Sequence, residues 1–492
     1  MTIAQSLLDK LKDPSLARDE AYLAGRWVGN TATSFAVTNP STSEIIATLP
    51  DLGSNEAHTA IAEAHAAQKS WARRTGKERS IVLHKLYMLM VDHADDLATI
   101  LTTEMGKPHA EAKGEILYGA SYVEWFSEEA KRVYGDTIPG HQADKRILVI
   151  KQAVGVVAAI TPWNFPNAML ARKMAPALAV GCAMVAKPAA ETPLSALALA
   201  VLAERAGVPE GLFNVLTSEH AAEIGQEFTS NPLVRKLTFT GSTEVGRILM
   251  RQGAEQIKKL GLELGGNAPL IIFEDANIDA AVAGTMVAKY RNNGQTCVCA
   301  NRIYVHESIY PEFARKLSER VATLKVGDGF TPGAEMGPLI DQNALNKVEQ
   351  HVSDALSKGA TITTGGKRSP LGGLFFEPTV LTQVNSSMKV AHEETFGPIA
   401  PLFKFSSEAE VIQMANDTEY GLAAYFYSKD VARIFRVAEA LEYGMVGINT
   451  GSISTEMAPF GGIKQSGLGR EGSKYGTEDY LEIKYLCLDV GG

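Results

Sequence analysis

Cysteine is scarce: Cys182, Cys297, Cys299 and Cys487 are the four in a chain of 492 residues. So few exclude a disulfide framework, and no pair has the CxxC spacing of a zinc site. Ten histidines are scattered without an HxxxH or HExxH pairing, so no metal is expected. Long apolar runs are missing too. The longest obvious one, residues 154–160, falls far short of the ~20 residues that cross a bilayer. The N-terminal residues have neither the apolar core of a signal peptide nor the acid-poor character of a transit peptide. No membrane partner and a cytoplasmic location are therefore expected. Nor is charge of one sign concentrated: 47 basic and 56 acidic side chains give a net −9 without a long run of either, which disfavours nucleic acid as a partner.

What remains is an ordinary globular composition, 45% apolar and 21% charged, in a chain long enough for several domains. Short apolar runs at 154–160, 183–187, 212–216, 236–240 and 270–273 alternate with helical patterns at 192–206, 218–229 and 243–257. A second series follows: strands at 302–306, 400–405 and 423–427, helices at 311–324, 408–416 and 431–441, and a further segment at 347–358. The alternation predicts an α/β fold with two doubly wound domains. A hinge is expected at the glycine-rich 261–266, which would bring Glu263 and Cys297 to an interdomain cleft. Segments 131–151 and 478–490 read as projecting strands, whose open edges invite pairing with a second copy.

The chemistry starts from Cys297, in Gly294-Gln295-Thr296-Cys297, and Glu263, thirty-four positions upstream. Thiol and carboxylate read as nucleophile and base. Asn164 sits between two prolines in Thr161-Pro162-Trp163-Asn164-Phe165-Pro166, where a fixed amide could hold an oxyanion or merely complete a turn. Thr240-Gly241-Ser242-Thr243 joins a strand to a helix, and its two readings, anion site at a helix N-terminus and plain Ser/Thr cap, stand level. Lys187 ends another strand at the ligand-gathering edge of the sheet, although a lone lysine is usually just solvated. The single GxGxxG match, 467–472, lacks a following helix and acidic partner and reads as a turn. Assembled, the groups would oxidise an aldehyde through a cysteine thiohemiacetal and thioester, with a nicotinamide taking the hydride.

Over nearly its whole length the chain resembles the NAD(P)-dependent aldehyde dehydrogenase family. The resemblance rests on 162–166, the glutamate motif 262–266, the cysteine motif 294–297 and Glu393-Glu394-Thr395-Phe396-Gly397-Pro398, in family order. It implies Cys297 as nucleophile, Glu263 as base and Asn164 as oxyanion donor. It also implies cofactor contacts from Thr161, Pro162, Trp163, Lys187, Gly241, Ser242, Glu394 and Phe396. The implied division is a Rossmann-like cofactor-binding domain at 1–130 and 148–260, a catalytic domain at 261–465, and a small β oligomerisation element at 131–147 and 478–492, in a homodimer or homotetramer.

Within the family, 239–246, 291–301 and 444–484 resemble members that oxidise succinic semialdehyde. The resemblance makes Arg172, Arg291 and Ser454 a carboxylate clamp and puts Phe460 beside the aldehyde; either arginine could instead form a structural ion pair. Ala190 stands where many NAD-preferring relatives carry a glutamate, so NADP is favoured with NAD usable. Cys299 resembles a redox partner that could bridge to Cys297, though simple packing is its commoner role. Glutarate semialdehyde as substrate, a catalytically silent member of the fold, and acyl transfer to coenzyme A are the competing readings.

Overall fold

The computed structural model describes residues 1–29 and 31–491. Asn30 and Gly492, which fall in the expected cofactor-binding and oligomerisation segments, lie outside the described residues. The first large sheet has eight strands, in the order Gly467–Leu468, Lys259–Glu263, Val234–Thr240, Val156–Ile160, Ala183–Lys187, Phe213–Val215, Ala21–Leu23 and Arg26–Val28. Its five central strands run parallel. Chain order reverses between Val156–Ile160 and Val234–Thr240, so the loops at their carboxyl ends part and leave a crevice, the usual ligand position of a doubly wound sheet. These strands read as continuous apolar runs because helices cover both faces.

The second sheet has seven strands, in the order Thr361–Thr364, Thr379–Thr382, Ile399–Phe405, Ala300–His306, Ala268–Ile272, Ala423–Tyr427 and Met445–Ile448. All are parallel except Thr361–Thr364. Separate apolar clusters contain Ile272, Ile303 and Tyr425 on one side and Ile271, Tyr304 and Phe426 on the other, as alternation along a strand dictates. Residues 264–267 join Lys259–Glu263 of the first sheet to Ala268–Ile272 of the second. This short link points the carboxyl ends of one sheet at the amino ends of the other.

A three-stranded antiparallel sheet pairs Asp136–Ile138 with Lys145–Ala153, and the latter with Leu481–Asp489. It leaves Ile138, Leu148, Ile150, Ile483, Tyr485 and Leu488 exposed. The expected strands and helices fall on observed elements, with ends displaced by a few residues; 347–358, for instance, lies within or next to helix Gln342–Ser357. The sequence pattern did not resolve four long helices, Ser54–Ala72, Gly76–Asp92, Ala94–Met105 and His109–Glu129, nor helix Pro166–Val180. In Pro166–Val180 every residue is buried, so no polar face marks its period. Among the described residues no helix is long and apolar enough to cross a membrane.

Candidate active site

The first wall of the site comes from the carboxyl ends of the parallel strands. Val156–Ile160 runs into Thr161-Pro162-Trp163-Asn164, and the Thr161 amide donates to the Lys187 carbonyl of the adjacent strand at 3.2 Å. Phe165 and Pro166 then start helix Pro166–Val180, with proline at its first position, where no amide bond is lost. Val234–Thr240 runs into Gly241 and Ser242, and the Ser242 hydroxyl caps helix Thr243–Ala254 by accepting from the Val245 amide at 3.3 Å. This serine therefore caps its helix, and the cap leaves the anion-site reading open, since a helix start carries further amides without intrahelical partners. Glu263 closes this wall at the end of its own strand.

The second wall comes from the amino ends of the other sheet. Cys297 precedes Ala300–His306 in a loop built by Asn292, Asn293 and Gly294, all in the left-handed region (φ 52°, 58° and 75°). Asparagine and glycine are the residues that tolerate it. Glycine is required at 294 for a second reason: a Cβ there would lie 2.2 Å from the Gly397 carbonyl oxygen. A Cβ on Gly266 would lie 2.8 Å from the Cys297 carbonyl oxygen, so the glycine after Glu263 lets the two motifs touch.

Between the walls lies a cavity of about 350 Å³. Pro162, Trp163, Asn164, Gly241, Ser242, Glu263, Cys297, Glu394 and Phe396 all line it. Among the described residues no cluster of acidic, histidine or cysteine side chains could hold a metal ion. Asn164 is buried; its side-chain Nδ2 donates to the Gln295 carbonyl at 3.1 Å and its Oδ1 accepts from the Phe165 amide at 3.1 Å. Burial, helped by the carboxylates of Glu394 and Glu263, pushes the Cys297 thiol up to about 12 against the pull of Arg172 and Arg291. Burial and the neighbouring Glu471 hold Glu263 well above the ordinary carboxylate range, and its Oε2 has no hydrogen-bond partner. Burial also raises Glu394 to about 7, although the Gly266 amide donates to its Oε1 at 3.2 Å. The Phe396 ring stands edge-on to Trp163 at 5.6 Å. Lys187 is buried beside this wall, its Nζ donating to the Pro188 carbonyl at 3.1 Å, and burial depresses its pKa.

The arginines differ. Arg172 is buried and bonded to Glu471 through Nε, its guanidinium lies 4.0 Å from the centre of the Phe460 ring, and one terminal nitrogen has no partner. It therefore makes the ion pair that its sequence left open. Arg291 makes no ion pair among the described residues and lies over the Phe165 ring at 5.2 Å. It shares a narrow crevice with Ser454, Thr296, Val298 and Tyr425. Cys299 is a buried free thiol whose sulfur donates to the Lys289 carbonyl at 3.3 Å, and it is absent from the cavity lining.

Three groups of residues escaped the sequence. Glu471 lies inside the 467–472 glycine stretch, which forms an edge strand and turn, and it binds both Arg172 and Lys173. Burial opposes its ionisation, but those two cations outweigh it and hold Glu471 below the ordinary range. Lys107, Glu111 and Glu115 approach from behind, and no cavity lining or motif marks them; the spacing of the two glutamates on one helical face was the available signal. Asn292 and Gln295 complete the group, their hydrogen bonds shaping the cysteine loop.

The aldehyde dehydrogenase family model matches residues 27–486. The chain is 62% identical over 480 residues to the glutarate-semialdehyde dehydrogenase of Pseudomonas aeruginosa, covering 97% of this chain and 99% of that one. It is 60% identical over 482 residues to the NADP(+) succinate-semialdehyde dehydrogenase GabD of Escherichia coli, covering 98% and 100%. The crystal structure of succinate-semialdehyde dehydrogenase from Burkholderia pseudomallei superposes with a TM-score of 0.97 at 61% identity, covering 98% of this chain and 100% of that one. With this agreement across its length, in sequence and in fold, the chain belongs to the aldehyde dehydrogenase family.

Proposed function

We propose that this protein oxidises succinic semialdehyde, or a close homologue such as glutaric semialdehyde, to the dicarboxylate with NADP or NAD. The observation that carries the reading is the convergence of a thiol, a side-chain amide and a buried carboxyl on one cavity: Cys297, Asn164 and Glu263. Once the thiol has released its proton to water in the cavity, the sulfur adds to the aldehyde carbon and the carbonyl oxygen becomes an oxyanion. The free N–H of the Asn164 amide and the Cys297 backbone amide are its donors; one such donor is worth ~3–4 kcal/mol of barrier. NAD(P)+, when bound, supplies the acceptor for the hydride that leaves the former aldehyde carbon, so that the carbonyl re-forms as a thioester on Cys297. Glu263, once ionised, takes a proton from water as the water attacks that thioester; the carbon–sulfur bond breaks, and the acid leaves.

The cavity suits the dinucleotide. Thr161 Oγ1 and Thr240 Oγ1 are buried without partners beside it, and the helix start at Thr243 offers backbone amides to an anion. Lys187 and Ser242 would hold the adenosine ribose and pyrophosphate, and Glu394 with Phe396 the nicotinamide ribose. Ala190, half-buried, places no carboxylate against a 2′-phosphate, which favours NADP.

Both substrates named for the relatives carry a carboxylate, and the Arg291 guanidinium makes no ion pair among the described residues. We assign the substrate carboxylate to Arg291, Ser454 and the free nitrogen of Arg172, with Phe460 beside the aldehyde. Residues 1–130 and 148–260 would carry the cofactor and 261–465 the chemistry. Segments 131–147 and 478–492 would join a cytoplasmic homodimer or homotetramer through their exposed apolar strands. The test is a panel of semialdehydes and uncharged aldehydes with both cofactors, run on wild type and Arg291→Ala. The variant is expected to raise KM for the carboxylated aldehydes by about 10–100-fold, as a lost charge-assisted pair should, and to leave the uncharged ones nearly unchanged. Equal effects on both classes would remove the clamp, and higher kcat/KM with NAD would reverse the cofactor assignment.

A further inference from the structure

Three charged side chains with no place in the chemistry above grip the amide's own backbone, the helix start that follows it, and the loop that precedes the thiol. Lys107 follows the helix Ala94–Met105 and is fully enclosed; its Nζ donates to Glu115 Oε2 at 2.6 Å and to the Asn164 carbonyl at 2.6 Å. Its ammonium also lies 3.8 Å from the centre of the Phe165 ring. The other oxygen of Glu115 accepts from the Asn167 and Ala168 amides at 3.0 and 3.2 Å, the opening turn of helix Pro166–Val180. One turn before Glu115 on helix His109–Glu129, Glu111 Oε2 accepts from the Asn292 amide at 2.9 Å. Asn292 Nδ2 in turn donates to the Asn164 carbonyl at 3.0 Å and to the Gln295 carbonyl at 3.1 Å. Asn164 is thus bonded at its backbone carbonyl by a lysine and an asparagine, followed by a helix start that Glu115 fixes, and tied through its side chain to the cysteine loop.

Stability does not account for this arrangement. A buried lysine–glutamate pair contributes little net stability, because desolvation of two ions offsets their attraction. What the pair does supply is direction: charge-assisted bonds to the Asn164 carbonyl and to the helix-start amides of Asn167 and Ala168 just after it. We infer that Lys107, Glu115 and Glu111 are positioning residues, which set the Asn164 amide against the Cys297 sulfur across the junction of the two walls. The inference rests on the proposed role of Asn164 as oxyanion donor. A carboxamide has two N–H bonds; the Gln295 carbonyl takes one, so the aim of the other depends on how the Asn164 backbone is held. Displacements near 1 Å at such a site cost on the order of 100-fold in rate.

The test is a double-mutant cycle on the full-length enzyme, read as the rate of the first-turnover burst of reduced cofactor. Lys107→Met alone leaves Glu115 buried without its partner and could unfold, so the cycle uses Lys107→Met/Glu115→Gln, which removes both charges together. In the wild-type background this pair is expected to slow the burst by about 10–100-fold with aldehyde KM changed less than about threefold. In an Asn164→Ala background, where no amide is left to aim, the same pair is expected to change the burst by less than about threefold. Glu111→Leu should behave like the pair, and Glu111→Gln, which keeps an acceptor oxygen, should restore most of the rate. Equal slowing in both backgrounds, or none in wild type, overturns the positioning role alone. An Asn164→Ala enzyme with an unchanged burst would instead overturn the oxyanion assignment, and the inference with it.

Discussion

Replacing Glu471 by glutamine tests the electrostatics of the whole site. Glu263 is raised by burial first and by Glu471 second, while Arg172, Lys173 and Arg470 pull it down. Glu471 meanwhile occupies Arg172 and Lys173. Glutamine therefore removes a like charge and frees two cations, and both changes favour ionised Glu263. A charged neighbour in a shared buried site moves a carboxyl by about 1–3 pH units. If Glu263 must be ionised to activate water, kcat rises as pH passes its pKa; a lower pKa moves that rise to lower pH. The expected result is an acidic limb displaced downward by about 1–3 pH units in Glu471→Gln. The assay is kcat between about pH 5 and 10 at saturating substrates, with a burst measurement to establish that thioester hydrolysis limits turnover. Apparent melting temperature should fall as well, since breaking one side of a buried ion cluster typically costs ~3–5 kcal/mol. An acidic limb that stays in place, or moves upward, would refute the reasoning.

Two further outcomes follow from the same cavity. Glu263 has a folded pKa raised above its ordinary 4.5, so between those values the folded chain holds a proton that the unfolded chain has lost, and stability falls as pH rises. Glu263→Gln abolishes this loss: the inactive variant should melt about 2–4 °C above wild type at pH 8, with the gap closing toward pH 4.5, and a gap independent of pH in differential scanning would contradict the burial argument. A Cys297–Cys299 bridge would require the Cys299 sulfur to leave the Lys289 carbonyl, a bond that favours packing over redox exchange. Cys299→Ala should therefore retain wild-type peroxide inactivation and its reversal by dithiothreitol, whereas loss of reversal would re-establish the pairing.

The parallel strands were legible because a strand buried on both faces leaves a continuous apolar run, as at Ala183–Lys187, where expectation and structure coincide. The motif loops were legible because each needs unusual residues: prolines around Asn164, and glycine at 266 and 294 where a Cβ would strike a carbonyl. Helix Pro166–Val180 was not, since an alanine-rich helix buried all round shows no period. Glu471 was invisible for a different reason. Its partners lie 299 and 298 positions away, and the glycines around it serve a turn rather than a phosphate. Long-range ion pairs leave no local trace in sequence, so the reading that named Arg172 gave it a ligand but not its neighbour.

That neighbour bears on how protons sit in the resting site. Cys297 is pushed up to about 12 and Glu263 lies well above its ordinary range, so burial favours the protonated form of both. In its protonated form Glu263 cannot accept the thiol proton until it has released its own. A base that must later take a proton from water gains from a pKa nearer the working pH than 4.5, and Glu471 contributes to raising it. The same carboxylate restrains Arg172, whose full charge would otherwise draw Glu263 down and leave its anion paired instead of reactive. A single buried glutamate thus has two opposite effects: it holds the Arg172 guanidinium in an ion pair near the cavity, and it offsets the pull of that guanidinium on Glu263.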